Sequence, residues 1–148
     1  MAQSVFFDAS VLVAASKSPS GGSAVSLELC QGRRFRMVVT ERVLLEARTN
    51  IEEKFGDEEL VRFYRRLADA KPRVIGPPSR ESVAVCDHVT APKDVHVLAA
   101  AVECKAAYLL TLDRKHLLTP KVLRVGFPFR TMTPGEFLQA AVAERSEE

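Results

Sequence analysis

The sequence is poor in every pattern that would staple, anchor or unravel a chain. Cysteine occurs three times, at Cys30, Cys86 and Cys104. The count is odd and no CxxC pair is present, so neither a disulfide framework nor a zinc knuckle is supported. The three are expected to be small buried hydrophobes in a reducing cytoplasm. No apolar run approaches the ~18 residues of a membrane span. Met1-Ala2-Gln3 lacks the basic start of a secretory leader, and Asp8 interrupts the first apolar run, so no signal peptide, no membrane span and a cytoplasmic location are expected. Glycine (7) and proline (8) are too few for a collagen-like or low-complexity chain. Charge of one sign is also missing: 21 Lys and Arg against 19 Asp and Glu leave +2. That balance neither demands nor forbids a nucleic-acid partner.

What remains is the composition of a folded domain. The 148 residues are 47% hydrophobic and 27% charged. At this length roughly two-thirds of the unfolded surface can be buried without staples. One domain over residues 1–148 is expected, with Ser146-Glu147-Glu148 frayed.

Strand and helix signals alternate along the chain. Ser4-Val5-Phe6-Phe7 is a short run of β-formers ending at Asp8. Ser10–Ala15 reads as a short helix, Lys17–Gly22 as a loop, and Ser23–Gln31 as a helix stopped by Gly32. Phe35–Val39 reads as a second strand. Thr40 is a natural N-cap for a helix to Phe55, whose Val43, Leu44, Ala47, Ile51 and Phe55 share one arc. Gly56 then separates it from a helix capped by Asp57 and running to Ala70, which predicts a helical hairpin. Arg73-Val74-Ile75 is a third strand. Helices are predicted over Ser79–Val89 and from Pro92 to Lys105, the second apolar nearly all round. Ala106–Leu112 is a fourth strand, Thr131-Met132 a fifth, and Thr133-Pro134 opens a last helix. Alternating elements with continuously apolar strands predict an α/β fold: a parallel sheet covered by helices on both faces.

Two strong strands end in an acid, Val5-Phe6-Phe7 at Asp8 and Tyr108–Leu112 at Asp113. Parallel neighbours would bring both carboxylates to the edge where open α/β sheets bind ligands. Each acid alone is equally well a helix cap. Asp94 falls in the first turn of the apolar helix, where the dipole favours it and where a buried helix begins near the sheet edge. Glu46 lies roughly 60° outside the apolar arc of its helix, with Arg42 one turn before it. Acids converging without a cation would repel one another and bind protons. Hard divalent cations take such oxygen ligands, together with water and phosphate, and such an ion opens phosphoryl-transfer chemistry. No paired serine or cysteine nucleophile and no GxxxxGK[ST] loop is present.

Four segments together resemble the PIN domain family, which includes VapC-type toxin ribonucleases. They are Phe6-Phe7-Asp8-Ala9-Ser10, Glu46 within Val43–Ala47, Pro92-Lys93-Asp94-Val95-His96-Val97-Leu98-Ala99-Ala100-Ala101, and Leu110-Thr111-Leu112-Asp113-Arg114-Lys115-His116. Each is short; their order and spacing span nearly the whole chain. The resemblance implies a three-layer α/β/α fold with about five parallel strands. It implies a Mg²⁺- or Mn²⁺-dependent ribonuclease in which metal-activated water hydrolyses RNA. It implies that Asp8, Glu46, Asp94 and Asp113 are both the metal ligands and the catalytic acids. Ser10 and Thr111 fall where the family carries hydroxyl residues that support the site. An antitoxin protein and a second copy of the chain are the implied partners besides RNA.

Other residues are weighed beside these. Glu41 shares the helix of Glu46, but the helix dipole accounts for it; Glu53 lies too far along. Asp87 is a candidate fifth acid, and equally a residue on a polar helix face. His88, His96 and His116 lack metal-ligand spacing. Arg114, Lys115 and His116 form a basic turn placed to contact phosphate. Arg62, Arg65 and Arg66 are expected to cover an apolar face with their stems rather than to bind RNA. A binding module of the same fold without hydrolytic activity is the alternative. A phosphatase needs a second acid two residues after the nucleophile, but Asp8 is followed by Ala9-Ser10.

Overall fold

The computed structural model describes residues 2–147. The expected fraying at Ser146–Glu148 therefore falls partly on a residue outside the described ones; the backbone of the last helix runs through Glu147.

The elements follow in the order β1 (Gln3–Phe7), α1 (Ala9–Lys17), α2 (Gly22–Leu29), β2 (Phe35–Thr40), α3 (Glu41–Lys54), α4 (Asp57–Ala70), β3 (Arg73–Ile75) and α5 (Arg80–Cys86). A 3₁₀ turn (Pro92–Asp94) then leads into α6 (Val95–Glu103), followed by β4 (Tyr108–Leu110), α7 (Pro120–Arg124), β5 (Arg130–Met132) and α8 (Pro134–Glu147). The five strands form one parallel sheet in the order β3-β2-β1-β4-β5. Helices cover it in the three-layer α/β/α arrangement that the sequence implied.

The pattern of apolar residues explains the layering. Val5, Phe6 and Phe7 are all fully buried, as a central parallel strand covered on both faces must be. In α6, every residue from Val95 to Ala101 is buried. Phe35, Tyr108 and Phe137 meet edge to face, with centroids 5.0–6.2 Å apart. α3 packs against α4 as the predicted hairpin.

Where expected boundaries moved, local chemistry gives the reason. β4 is shorter than Ala106–Leu112 because the amides of Leu112 and Asp113 bond to side-chain hydroxyls instead of a neighbouring strand. α5 stops at Cys86 rather than Val89, and His88 then takes φ 65°, a left-handed conformation no helix continues. α6 stops two residues before Lys105, itself left-handed at φ 55°. α7 was not anticipated, although Thr119-Pro120 carries its signal: Thr119 Oγ1 accepts from Val122 N at 3.2 Å, and Pro120 takes the first helical position.

The arginines of α4 do more than cover apolar surface. Arg62 donates to Ser16 O at 2.6 Å. Arg66 donates to Ala15 O, Ser18 O and Pro19 O at 2.9–3.2 Å. Together they cap the carbonyls at the end of α1 that have no helical partner. Cys30 and Cys86 are buried and Cys104 is half-buried, all three as free thiols. Burial pushes Cys30 up to about 12 and Cys86 up to about 11, which makes both unreactive. No helix among the described residues is long and apolar enough to cross a membrane.

Candidate active site

β1 and β4 are hydrogen-bonded neighbours whose carboxyl ends carry Asp8 and the Thr111–His116 segment. Asp8 is buried, and its backbone amide donates to Leu110 O at 3.0 Å, continuing the ladder. Its Oδ2 accepts from Ser10 Oγ at 2.7 Å and from Thr111 Oγ1 at 2.8 Å. Each hydroxyl has one proton to give, so the 3.4 Å approach between Ser10 Oγ and Thr111 Oγ1 is a contact rather than a bond. On its acceptor side, Ser10 Oγ takes Leu112 N and Thr111 Oγ1 takes Asp113 N, both at 3.0 Å. The two hydroxyls thus link the carboxylate of β1 to the backbone that aims Asp113.

Asp113 opens a tight turn. Its Oδ1 accepts from Lys115 N at 3.0 Å and His116 N at 2.9 Å. Its other oxygen, Oδ2, lies 3.6 Å from His116 Nδ1. The same nitrogen lies 3.3 Å from Asp94 Oδ2. Asp94, Asp113 and His116 each offer an atom within 4.8 Å of the others. His116 is further held by its carbonyl, which accepts from Thr90 Oγ1 at 2.5 Å. His116, expected in a basic turn that contacts phosphate and without metal-ligand spacing, here stands beside two of the acids. Spacing rules find ligands on one element, whereas His116 reaches Asp94 from a separate turn.

Electrostatics bind the four acids into one system. Burial raises the Asp8 carboxyl above its ordinary value, outweighing the Ser10 and Thr111 hydrogen bonds that lower it; Asp113 adds to the rise. Asp94 is raised by burial and then by Asp113, against the pull of Lys93 and His116. Glu46 is exposed as a residue, yet partial burial of its carboxyl and the charges of Asp8 and Asp94 raise it, with Arg42 and Lys93 opposing. Glu46 lines a neighbouring cleft together with Lys93, the residue before Asp94.

The donor set fits a divalent cation. Asp94 Oδ2 is sheltered from water and lacks a hydrogen-bond partner, since His116 approaches it without hydrogen-bond alignment. An acceptor left so costs about 1–3 kcal/mol. Two carboxylates beside one imidazole are donors that a divalent cation takes.

Beside the acids lie two clefts that share Arg42, Leu45 and His96. One, of about 330 Å³, is lined by Glu46, Thr49, Asn50 and Lys93 in addition. The other, of about 420 Å³, is lined by Thr40, Glu41, Ile75, Pro77 and Pro78 in addition. His96 was passed over in the sequence; its signal was a single ring polar group within an otherwise apolar helix. The residue is 8% exposed, and its Nδ1 is sheltered with no hydrogen-bond partner. Burial, then the Arg42 charge, pushes the imidazole down to about 4.

The remaining candidates sit apart from this cluster. Asp87 follows α5, is exposed, and pairs with His88 at 3.4 Å. Arg114 and Lys115 are exposed on the turn after Asp113. Glu41 lines the larger cleft rather than the acidic crevice.

A sequence profile described as the PIN domain matches residues 4–115. No curated protein matches the sequence significantly. Among solved structures, one similar chain belongs to VapBC2 from Rickettsia felis, bound to a DNA fragment from their promoter. It is 13% identical, with TM-score 0.64, over 88% of this chain and 98% of that one. PAE2754 from Pyrobaculum aerophilum is 16% identical, with TM-score 0.61, over 97% of this chain and 92% of that one.

Proposed function

The chain belongs to the PIN domain family, and from that premise we propose that it is a Mg²⁺- or Mn²⁺-dependent ribonuclease, the toxin of a cytoplasmic toxin–antitoxin pair. The observation that carries this reading is the meeting of Asp94, Asp113 and His116 within 4.8 Å, on the sheet edge where Asp8 is fixed.

Asp8, Asp94, Asp113 and Glu46 are the proposed acids of the site, and His116 joins them as a ligand rather than as a phosphate contact. A divalent cation bound there supplies positive charge to the scissile phosphate and acidifies a water. The chain's own residues do the positioning. Ser10 and Thr111 hold the Asp8 carboxylate still. The turn amides of Lys115 and His116 hold Asp113 Oδ1, leaving Oδ2 toward the cluster. Glu46, with its raised affinity for a proton, accepts one from the attacking water. Arg42, Lys93, Arg114 and Lys115 supply cationic contacts along the RNA strand.

The antitoxin and dimer readings rest on surface chemistry. Val61 and Tyr64 on α4 are 48% and 47% exposed, an apolar face of the α3–α4 hairpin that a protein partner would cover. The Rickettsia felis structure holds VapBC2 with promoter DNA, and a comparable partner is proposed for this chain.

The deciding experiment is cleavage of single-stranded RNA with Mn²⁺ by the wild type and by Asp8→Asn. A loss of about 100-fold or more in the variant is expected for a group acting on the reaction. Unchanged cleavage would overturn the assignment. RNA binding that survives EDTA, with no cleavage under any divalent ion, would instead establish the binding-module alternative.

A further inference from the structure

The larger cleft continues the acidic crevice along the same sheet edge. Asp8 follows β1, Thr40 ends β2 and Ile75 ends β3, so one to two strand spacings, about 5–10 Å, separate Asp8 from the cleft. That is the reach from a phosphodiester to the base of its own nucleotide. Leu45, Ile75, Pro77 and Pro78 give the cleft flat apolar walls, with Arg42 at its margin. His96 lines it from the α6 side, carrying a ring nitrogen that no protein group satisfies. Such a pocket, mostly apolar with few convergent polar groups, is built for a small planar ligand.

We propose that this cleft receives the nucleobase flanking the scissile phosphate, and that His96 is the specificity-determining residue which hydrogen-bonds that base. The inference rests on the ribonuclease reading for its substrate. A half-turn of the ring exchanges the sheltered nitrogen with the opposite ring edge and presents it to the base. Arg42 meets the phosphate or stacks on the base face. A base whose edge cannot pair with the imidazole leaves a polar group buried and unpaired, which is the strongest way for a site to reject a ligand.

The test titrates the metal-free protein with the four ribonucleoside 5′-monophosphates and follows the His96 ring resonances and the affinity. One base is expected to bind about tenfold tighter than the weakest and to shift the His96 ring. His96→Ala should level the four affinities while melting as the wild type does. His96→Gln, which keeps a hydrogen-bonding head, should retain a preference. In parallel, the base preference of cleavage with Mn²⁺ should flatten in His96→Ala. Equal affinities in the wild type, no shift of the His96 ring, or an unchanged preference in His96→Ala would overturn the proposal. RNA cleavage that persists alongside any of these results leaves the ribonuclease assignment intact. Base-selective nucleotide binding without cleavage would instead support the cleft and refute the hydrolytic reading.

Discussion

Thr111 Oγ1 donates to Asp8 Oδ2 across 2.8 Å, although 103 positions separate the two residues. The same hydroxyl accepts from Asp113 N. One atom thus couples the acid of β1 to the turn that carries the acid after β4. Ser10 repeats the arrangement one position earlier in the chain, with Leu112 N. The crevice between β1 and β4 is where the strand order reverses, the ligand-binding position of open parallel sheets.

Replacing Thr111 by valine keeps the shape and removes this coupling. The Asp113 amide loses its partner and Asp8 loses a donor to its charged form. A destabilisation of about 1–3 kcal/mol is expected, read as a lower urea midpoint at unchanged slope. Cleavage should fall further than stability alone explains, because Asp113 is no longer aimed. A variant with wild-type midpoint and rate would show that Ser10 alone suffices.

The raised carboxyls give the metal-free protein an inverted pH response. Asp8, Glu46 and Asp94 all hold their protons more tightly folded than unfolded. Their stabilising contribution is therefore complete below the ordinary carboxylate value of about 4 and is lost as pH rises through their folded values. Glu103 and Glu136 are lowered by serine and threonine hydrogen bonds; their contribution is lost only as pH falls through values below the ordinary one. In the EDTA-treated protein these carboxyls should thus add stability as pH is lowered, against an opposing loss below about 6.5 from His96, whose buried imidazole stays neutral down to about 4. Mn²⁺ at about 100 times its Kd should restore about 2.7 kcal/mol at pH 7, a shift of about 5–10 °C. Asp113→Asn should abolish the Mn²⁺ shift. A melting temperature indifferent to both pH and Mn²⁺ would contradict the shared cation site.

Arg66 is a structural prediction independent of the crevice. Its guanidinium reaches three carbonyls at and just beyond the end of α1, and Asp8 is the residue before the start of α1. Arg66→Ala should cost about 1–3 kcal/mol. Arg66→Lys should recover less than half, since an ammonium cannot span the same fork. Full recovery by lysine would assign the effect to charge alone.

The sheet was legible because its strands are continuous apolar runs, and Asp8 and Asp113 were legible because they end such runs. Glu46 was separable from Glu41 by helical periodicity, and the two line different clefts, Glu46 the one that includes Lys93 and Glu41 the one that includes Ile75. His116 was legible as a phosphate contact beside Asp113 but not as a neighbour of Asp94, and His96 was not legible as a cleft residue. Their neighbours in space come from other elements, and no spacing along the chain encodes a 3.3 Å approach between a turn and a 3₁₀ helix. The cap function of Arg62 and Arg66 was hidden for the same reason, since a carbonyl acceptor has no side-chain signature.

The central position of β1, flanked by β2 and β4, also sets when the site can exist. β1 is made first and can pair with β2 early, but its other edge waits for β4. Between Asp8 and Asp113 the ribosome adds about 105 residues, which at 5–20 residues per second takes roughly 5–20 s. Until then Asp8 has no Thr111 and the cluster has no Asp113 or His116. On the proposed ribonuclease reading, a nascent chain of this protein is held inactive by its own strand order, and the acids converge only after Asp113 and His116 have been added.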